Sequence, residues 1–268
     1  MRAPSIRAVG LLLAGTLAAR TQRVMAQPLA QRVAAMRSGT VEMRYAPRPG
    51  VCGDGRSYYS IGRSMRIGDG FSYRNDTDHS TCIPGPARAR LRLTGGEITD
   101  VRVYVGAAGR AEAPDTDLGM VSSREAADFF LRIAETGSGR ATHGAISAAV
   151  LADSASVWRR LLAIARDSAT RTRSTRQEAL FWVGRFAAAK SSGDGEDLSA
   201  ASDDGDRDDP RNAAIFALSQ LRNREGVPAL LQVAQTHRDP ALRRQALFWL
   251  GESGDPRGAS LFEDILRR

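Results

Sequence analysis

The sequence has few of the residues that build metal and redox sites. Among 268 residues only 3 are His and 2 are Cys, and aromatic residues make up 6%. Zinc fingers, iron–sulfur clusters and multi-histidine centres need more His and Cys than this. The motifs HExxH, GxSxG and GxGxxG and the P-loop are also missing. We therefore expect no metal site, no cofactor and no catalytic residues, and we do not expect an enzyme.

Long apolar runs and lysine are equally scarce. No apolar run reaches the roughly 18 residues typical of a membrane-spanning helix. Lys190 is the one lysine, so the net charge of +8 comes almost entirely from Arg. These arginines do not cluster along one predicted helix, which argues against a nucleic-acid partner. With 42% apolar and 25% charged residues the composition is that of a folded globular protein.

The N-terminus resembles an export signal. Arg2 and Arg7 precede Val9–Ala19, an apolar stretch too short to cross a bilayer, and the small residue Ala26 offers a cleavage site before Gln27. We predict that residues 1–26 are a signal peptide. The mature protein is then periplasmic or extracellular, without stable membrane insertion after cleavage. An uncleaved amphipathic arm is the alternative.

Residues 41–107 have the pattern of a small β-rich module. Apolar and polar residues alternate over Thr40–Ala46, Ser57–Ile61, Ala87–Leu93 and Ile98–Val105, with Gly- and Pro-rich turns between them. Cys52 and Cys82 both fall in this module. In an oxidising compartment an even pair of cysteines indicates a disulfide. We predict that these two are bonded to each other.

From Ser122 onward the sequence repeats itself at helical spacing. Glu178–Gly184 reads EALFWVG and Gln245–Gly251 reads QALFWLG. Alanines at equivalent positions follow one another at intervals of 34, 35 and 32 residues: Ala145, Ala179, Ala214 and Ala246. Leu161-Leu162 and Leu230-Leu231 are 69 residues apart, as are Ala145 and Ala214. The pattern predicts a tandem array of helix pairs over residues 122–268.

The repeated positions are expected to pack between neighbouring helix pairs. Recurrence of Phe-Trp at one repeat position favours packing over the alternative, a platform on which a ligand stacks. The predicted packing residues are Ala145, Ala179, Phe181, Trp182, Ala214, Phe216, Ala246, Phe248 and Trp249.

Residues 239–268 resemble a known repeat family. They contain Asp-Pro, then ALFWLG, Gly-Asp-Pro and LFEDIL in succession. This resembles HEAT repeats, especially the short type first noted in phycobilisome lyases, and the resemblance extends over residues 138–268. It implies a right-handed α-solenoid, so we expect a mainly α protein preceded by the disulfide-linked β module. It implies little about activity, because HEAT arrays serve as binding surfaces in many settings.

One repeat lacks its second helix. Residues 191–209 stand in its place, and between Asp194 and Asp209 they hold 8 acids and one Arg. Such a composition buries too little apolar surface to order itself, so we predict a flexible acidic insertion.

The three histidines do not have the spacing of a metal site. His79, His143 and His237 have no partner four residues away, so the paired-His metal motif is missing and each is expected at the surface. We predict an exported, non-catalytic scaffold or adaptor whose solenoid face binds a protein or peptide. The alternative is a binding, inhibitory or regulatory module associated with an exported enzyme.

Overall fold

The structure is a computed structural model that describes residues 27–56, 58–61, 65–68, 73–74, 82–106, 113–152, 157–191 and 210–268. Three sequence predictions lie outside these residues. They are the signal peptide 1–26, residues 192–209 of the acidic insertion, and the position of His79.

The N-terminal half holds two four-stranded sheets. The first has the order β7-β6-β1-β8, with β1 and β8 parallel and the other neighbours antiparallel. The second has the order β2-β3-β4-β5 and is antiparallel. The strands are β1 (Gly39–Tyr45), β2 (Val51–Gly53), β3 (Tyr58–Ile61), β4 (Met65–Gly68), β5 (Tyr73–Arg74), β6 (Ala87–Thr94), β7 (Glu97–Val105) and β8 (Thr116–Met120).

Alternation of side chains decides which face of the first sheet is buried. Val41, Met43 and Tyr45 of β1 point to the core, and Ala87, Ala89, Leu91 and Leu93 of β6 join them there. The predicted strands 40–46 and 87–93 therefore agree with β1 and β6. The first sheet also includes β8, which follows the expected module end at residue 107.

Cys52 and Cys82 form the predicted disulfide, with their Cα atoms 5.2 Å apart. The bond ties β2 to the segment that leads into β6. Backbone hydrogen bonds between Gly53 and Ile83 add to this link, with N···O distances of 2.9 and 3.1 Å. The disulfide therefore joins the second sheet to the first.

Helices make up the C-terminal half, and a short helix precedes the sheets. They are α1 (Leu29–Ala34), α2 (Ser123–Thr136), α3 (Gly139–Leu151), α4 (Val157–Arg166), α5 (Arg173–Ser191), α6 (Pro210–Ser219), α7 (Val227–Thr236), α8 (Pro240–Ser253) and α9 (Arg257–Arg267). Side-chain caps fix the starts of α2, α5 and α8: Ser122 accepts from the Glu125 N–H at 3.2 Å, Thr172 from the Thr175 N–H at 3.2 Å, and Asp239 from the Ala241 N–H at 2.9 Å. The Glu125 carboxylate accepts a hydrogen bond from the Leu29 N–H at 2.7 Å and so links α1 to α2.

The two halves share one continuous hydrophobic core that runs from Leu29 to Leu266. Gly144 of α3 lies against β7 so closely that a Cβ there would meet the Val101 carbonyl oxygen at 1.8 Å. Tyr45 donates a hydrogen bond to the Ala148 carbonyl at 2.9 Å. Arg48 lies over the Phe186 ring at 4.8 Å. Helices α3 and α5 therefore join the sheets to the helical half.

The packing order of the helices differs from the expected tandem array. Chain order would place α6 beside α5, but α5 packs against α8, while α6 packs against α7 and α8. The reason lies in the helix surfaces. Gly184 and Gly251 allow α5 and α8 to approach closely, whereas α6 carries Ser219 at the equivalent position. In a simple tandem array α6 would be the next neighbour of α5, whereas in the structure that neighbour is α8.

Candidate interaction surface

The two copies of the repeated motif contact each other directly. A Cβ added at Gly184 would lie 2.8 Å from the Gly251 Cα, and one added at Gly251 would lie 3.2 Å from the Phe181 carbonyl oxygen. Backbones can come this close only where both helices lack a side chain. The α5–α8 contact therefore pairs EALFWVG with QALFWLG.

Most of the predicted packing residues lie in this part of the core. Phe181 and Trp182 of α5 are buried, and Trp182 is completely inaccessible. Each Phe–Trp pair packs edge to face, with ring centroids 5.0 Å apart. Ala145, Ala179, Ala246 and Phe248 are buried and Trp249 is partly buried. None of the buried rings offers an open stacking platform.

Ala214 and Phe216 depart from the prediction. Both are exposed, and Phe216 retains 47% of its accessible surface. One side of Phe216 meets the Trp249 ring, with centroids 5.1 Å apart. Expected burial between repeats was wrong here because α8, not α6, occupies the position beside α5.

Helix α6 consequently presents an apolar face to solvent. Ala213, Ala214 and Ala217 are exposed on it beside Phe216, and Leu221 just beyond the helix is 47% exposed. Spacings of three and four residues place Ala213, Ala214, Phe216 and Ala217 on one side of the helix. The terminal helix pair of a finished repeat array normally has a polar outer face. This α6 face, defined as Ala213, Ala214, Phe216, Ala217 and Leu221, is the candidate interaction surface.

Several arginines of the first sheet have partners within the N-terminal half. Four of them bond to neighbouring acids or carbonyls: Arg44 to Asp117 at 2.8 Å, Arg88 to the Gly55 carbonyl at 2.6 Å, Arg90 to Glu42 at 3.0 Å, and Arg102 to Asp100 at 3.0 Å. Much of the positive charge of this half is therefore neutralised locally.

His143 lies on α3, the helix that packs against β7. Its Nδ1 is hydrogen-bonded to Oε2 of Glu178, which joins α3 to α5. Glu178 is buried at 6% side-chain exposure, whereas His143 keeps 41%. Burial raises the pKa of the Glu178 carboxyl, and the hydrogen bond to Glu178 raises the pKa of His143. The prediction of a surface histidine is thus half correct.

Sequence reasoning did not identify Glu178 as a partner. One signal was available: the motif begins with Glu178 in α5 but with Gln245 in α8. Both residues are buried to a similar extent, so the difference between the two copies of the motif is that Glu178 can carry a charge and Gln245 cannot. Which group faces that charge depends on the crossing of α3 and α5, and the sequence pattern does not specify this crossing.

Two absences hold for the part of the chain that the structure describes. There, no group of three or more His, Cys, Asp and Glu side chains is placed to hold a metal ion. No helix among those residues is long and apolar enough to cross a membrane.

Comparison with known proteins supports the helical repeat. The family model for HEAT repeats matches residues 196–268, a range that contains α6, α7, α8 and α9. No curated protein matches the chain, and no solved structure matches it. The C-terminal part is therefore similar to HEAT repeats, a class whose members generally mediate protein–protein interaction.

Proposed function

We propose that this chain is an exported, non-catalytic scaffold or adaptor that binds a protein partner through the α6 face of a HEAT-like helical array. The observation that carries the proposal is the exposure of Phe216 and Leu221 on the helix at the edge of the array. Large apolar side chains grouped on a surface mark sites of protein contact. The similarity of residues 196–268 to HEAT repeats supports the same role.

Two features support export. The first is the predicted signal peptide, and the second is the Cys52–Cys82 disulfide, because such bonds persist in oxidising compartments. Sequencing the N-terminus of the native protein tests this part. We expect it to begin near Gln27 in the exported fraction. An intact Met1 in the cytosolic fraction would contradict export.

Partner binding is tested by affinity capture from the exported fraction with three forms of the protein. The wild-type chain and the control Ile83→Ser/Met120→Ser, which alters two exposed apolar residues of the β half, are expected to capture the same protein. The variant Phe216→Ser/Leu221→Ser should fail to capture this protein. Equal capture by all three forms, or no protein enriched over a blank support, would overturn the proposal.

A further inference from the structure

We infer that His143 and Glu178 form a proton-dependent clamp that holds α3 against α5 and weakens as pH rises. The inference does not depend on the identity of any partner. Helix α3 packs against both β7 and α5, so the contact between α3 and α5 bears on how the sheets are held to the helical half.

Geometry makes Glu178 dependent on His143. Oε2 bonds to the imidazole, while Oε1 is buried and has no hydrogen-bond partner among the described residues. A buried carboxylate is costly unless a cation or donor compensates it. The charged imidazole is therefore the compensation that this site provides, and its loss leaves the buried charge poorly satisfied.

The surroundings offer little other compensation. The Tyr59 side chain, 5% exposed, lies beside Ser147. The pKa of Tyr59 is raised mainly by burial, and the Glu178 charge adds to this rise. Three nearby arginines have partners elsewhere: Arg48 bonds to the Val150 carbonyl, Arg171 to the Gly137 carbonyl, and Arg160 to Asp128 and Glu135. Where β7 meets α3, at Gly144, the contact is with the Val101 backbone.

The second copy of the motif provides an internal comparison. Its equivalent position holds Gln245, which is buried without carrying a charge. A neutral amide is therefore sufficient for packing at this repeat position. The carboxylate in α5 adds a property that the fold does not require, namely sensitivity to protons.

The direction of the pH effect follows from the two pKa shifts. Both groups hold their protons more tightly in the folded protein than in the unfolded chain. The stabilisation from His143 is complete below about pH 6.5, the ordinary pKa of histidine, and is lost as pH rises through its raised pKa. The Glu178 contribution is likewise lost as pH rises from about 4.5, the ordinary pKa of its carboxyl, so stability from this pair declines as pH rises.

A histidine titration tests the pairing. In the variant His79→Gln/His237→Gln, His143 is the one remaining imidazole and its NMR signals report its pKa directly. We expect that pKa above the ordinary value and expect Glu178→Gln, which copies the residue of the other motif, to lower it. An unchanged His143 pKa in Glu178→Gln would overturn the inference.

Thermal unfolding tests the clamp itself. Between about pH 6 and about pH 9 the wild-type Tm should fall. The fall should be at least halved in Glu178→Gln and in His143→Gln, and His237→Gln should behave as the wild type. The inference is overturned if the wild type and Glu178→Gln show the same change of Tm across that range.

Discussion

Glycines at positions 184 and 251 set how closely α5 and α8 approach. Between them there is no room for a methyl group, since a Cβ at Gly184 would also lie 3.1 Å from the Phe262 ring. Phe262 is completely buried, so any shift of its ring must be accommodated by the surrounding core. These contacts make the pair of glycines a requirement of packing.

Gly184→Ala is expected to destabilise the protein by about 1–3 kcal/mol, the usual cost of overpacking a core. The loss should appear even though Ala is about 1 kcal/mol better than Gly within a helix. Urea unfolding measures it. Ser219→Ala, at the equivalent position of α6, is the control and should change stability by less than about 0.5 kcal/mol. Equal effects at both positions would contradict the account.

Individual residue roles were predictable where they depend on local pattern. The Cys52–Cys82 bond and the Asp239 cap follow from residue type and position alone. The His143–Glu178 contact does not, because it joins residues 35 apart through a helix crossing. Burial of Ala214 and Phe216 was wrongly predicted for the same reason: a repeat pattern identifies similar helices but not which helices are neighbours.

At the scale of elements, residues 191–209 stand in the sequence where the repeat pattern expects a second helix. These acidic residues separate α5 from α6 along the chain. Helix α8 packs beside α5, in the position where α6 was expected. The strands were more predictable than this order. Alternating apolar residues identify a strand by its own two faces, whereas helix order depends on surfaces that are distant in sequence.

The acidic insertion is expected to be dispensable for folding. Lengthening or shortening a flexible loop changes its closure free energy by only about 0.6 kcal/mol per doubling. Replacing residues 191–209 with a short Gly/Ser linker should therefore leave Tm within a few degrees. Circular dichroism would follow the melt. A cooperative loss of helical signal would show that the segment contains a helix needed by the array.

At the scale of the whole molecule, the shared core couples the two halves. The sequence suggested a small β-rich module followed by a helical array. The structure joins them through Gly144 against β7 and through Arg48 over Phe186. Contacts of this kind link the unfolding of one half to that of the other.

We expect Cys52→Ala/Cys82→Ala to lower the free energy of unfolding of the whole chain by roughly 2–5 kcal/mol. Because the core is continuous, helical and tertiary signals should be lost together in one transition. Far- and near-ultraviolet circular dichroism during the same melt provide the comparison. Helices that persist after the tertiary signal of the sheets has gone would instead support independent modules.

The central claim is that α8, not α6, is the neighbour of α5, which leaves the α6 face free for a partner. A double-mutant cycle tests it most directly. Gly184→Ala and Gly251→Ala touch the same contact, so their effects on unfolding free energy should fail to add by about 0.5–3 kcal/mol. Gly184→Ala and Ser219→Ala should add to within about 0.5 kcal/mol. Coupling of Gly184 to Ser219, with additivity between Gly184 and Gly251, would contradict the account.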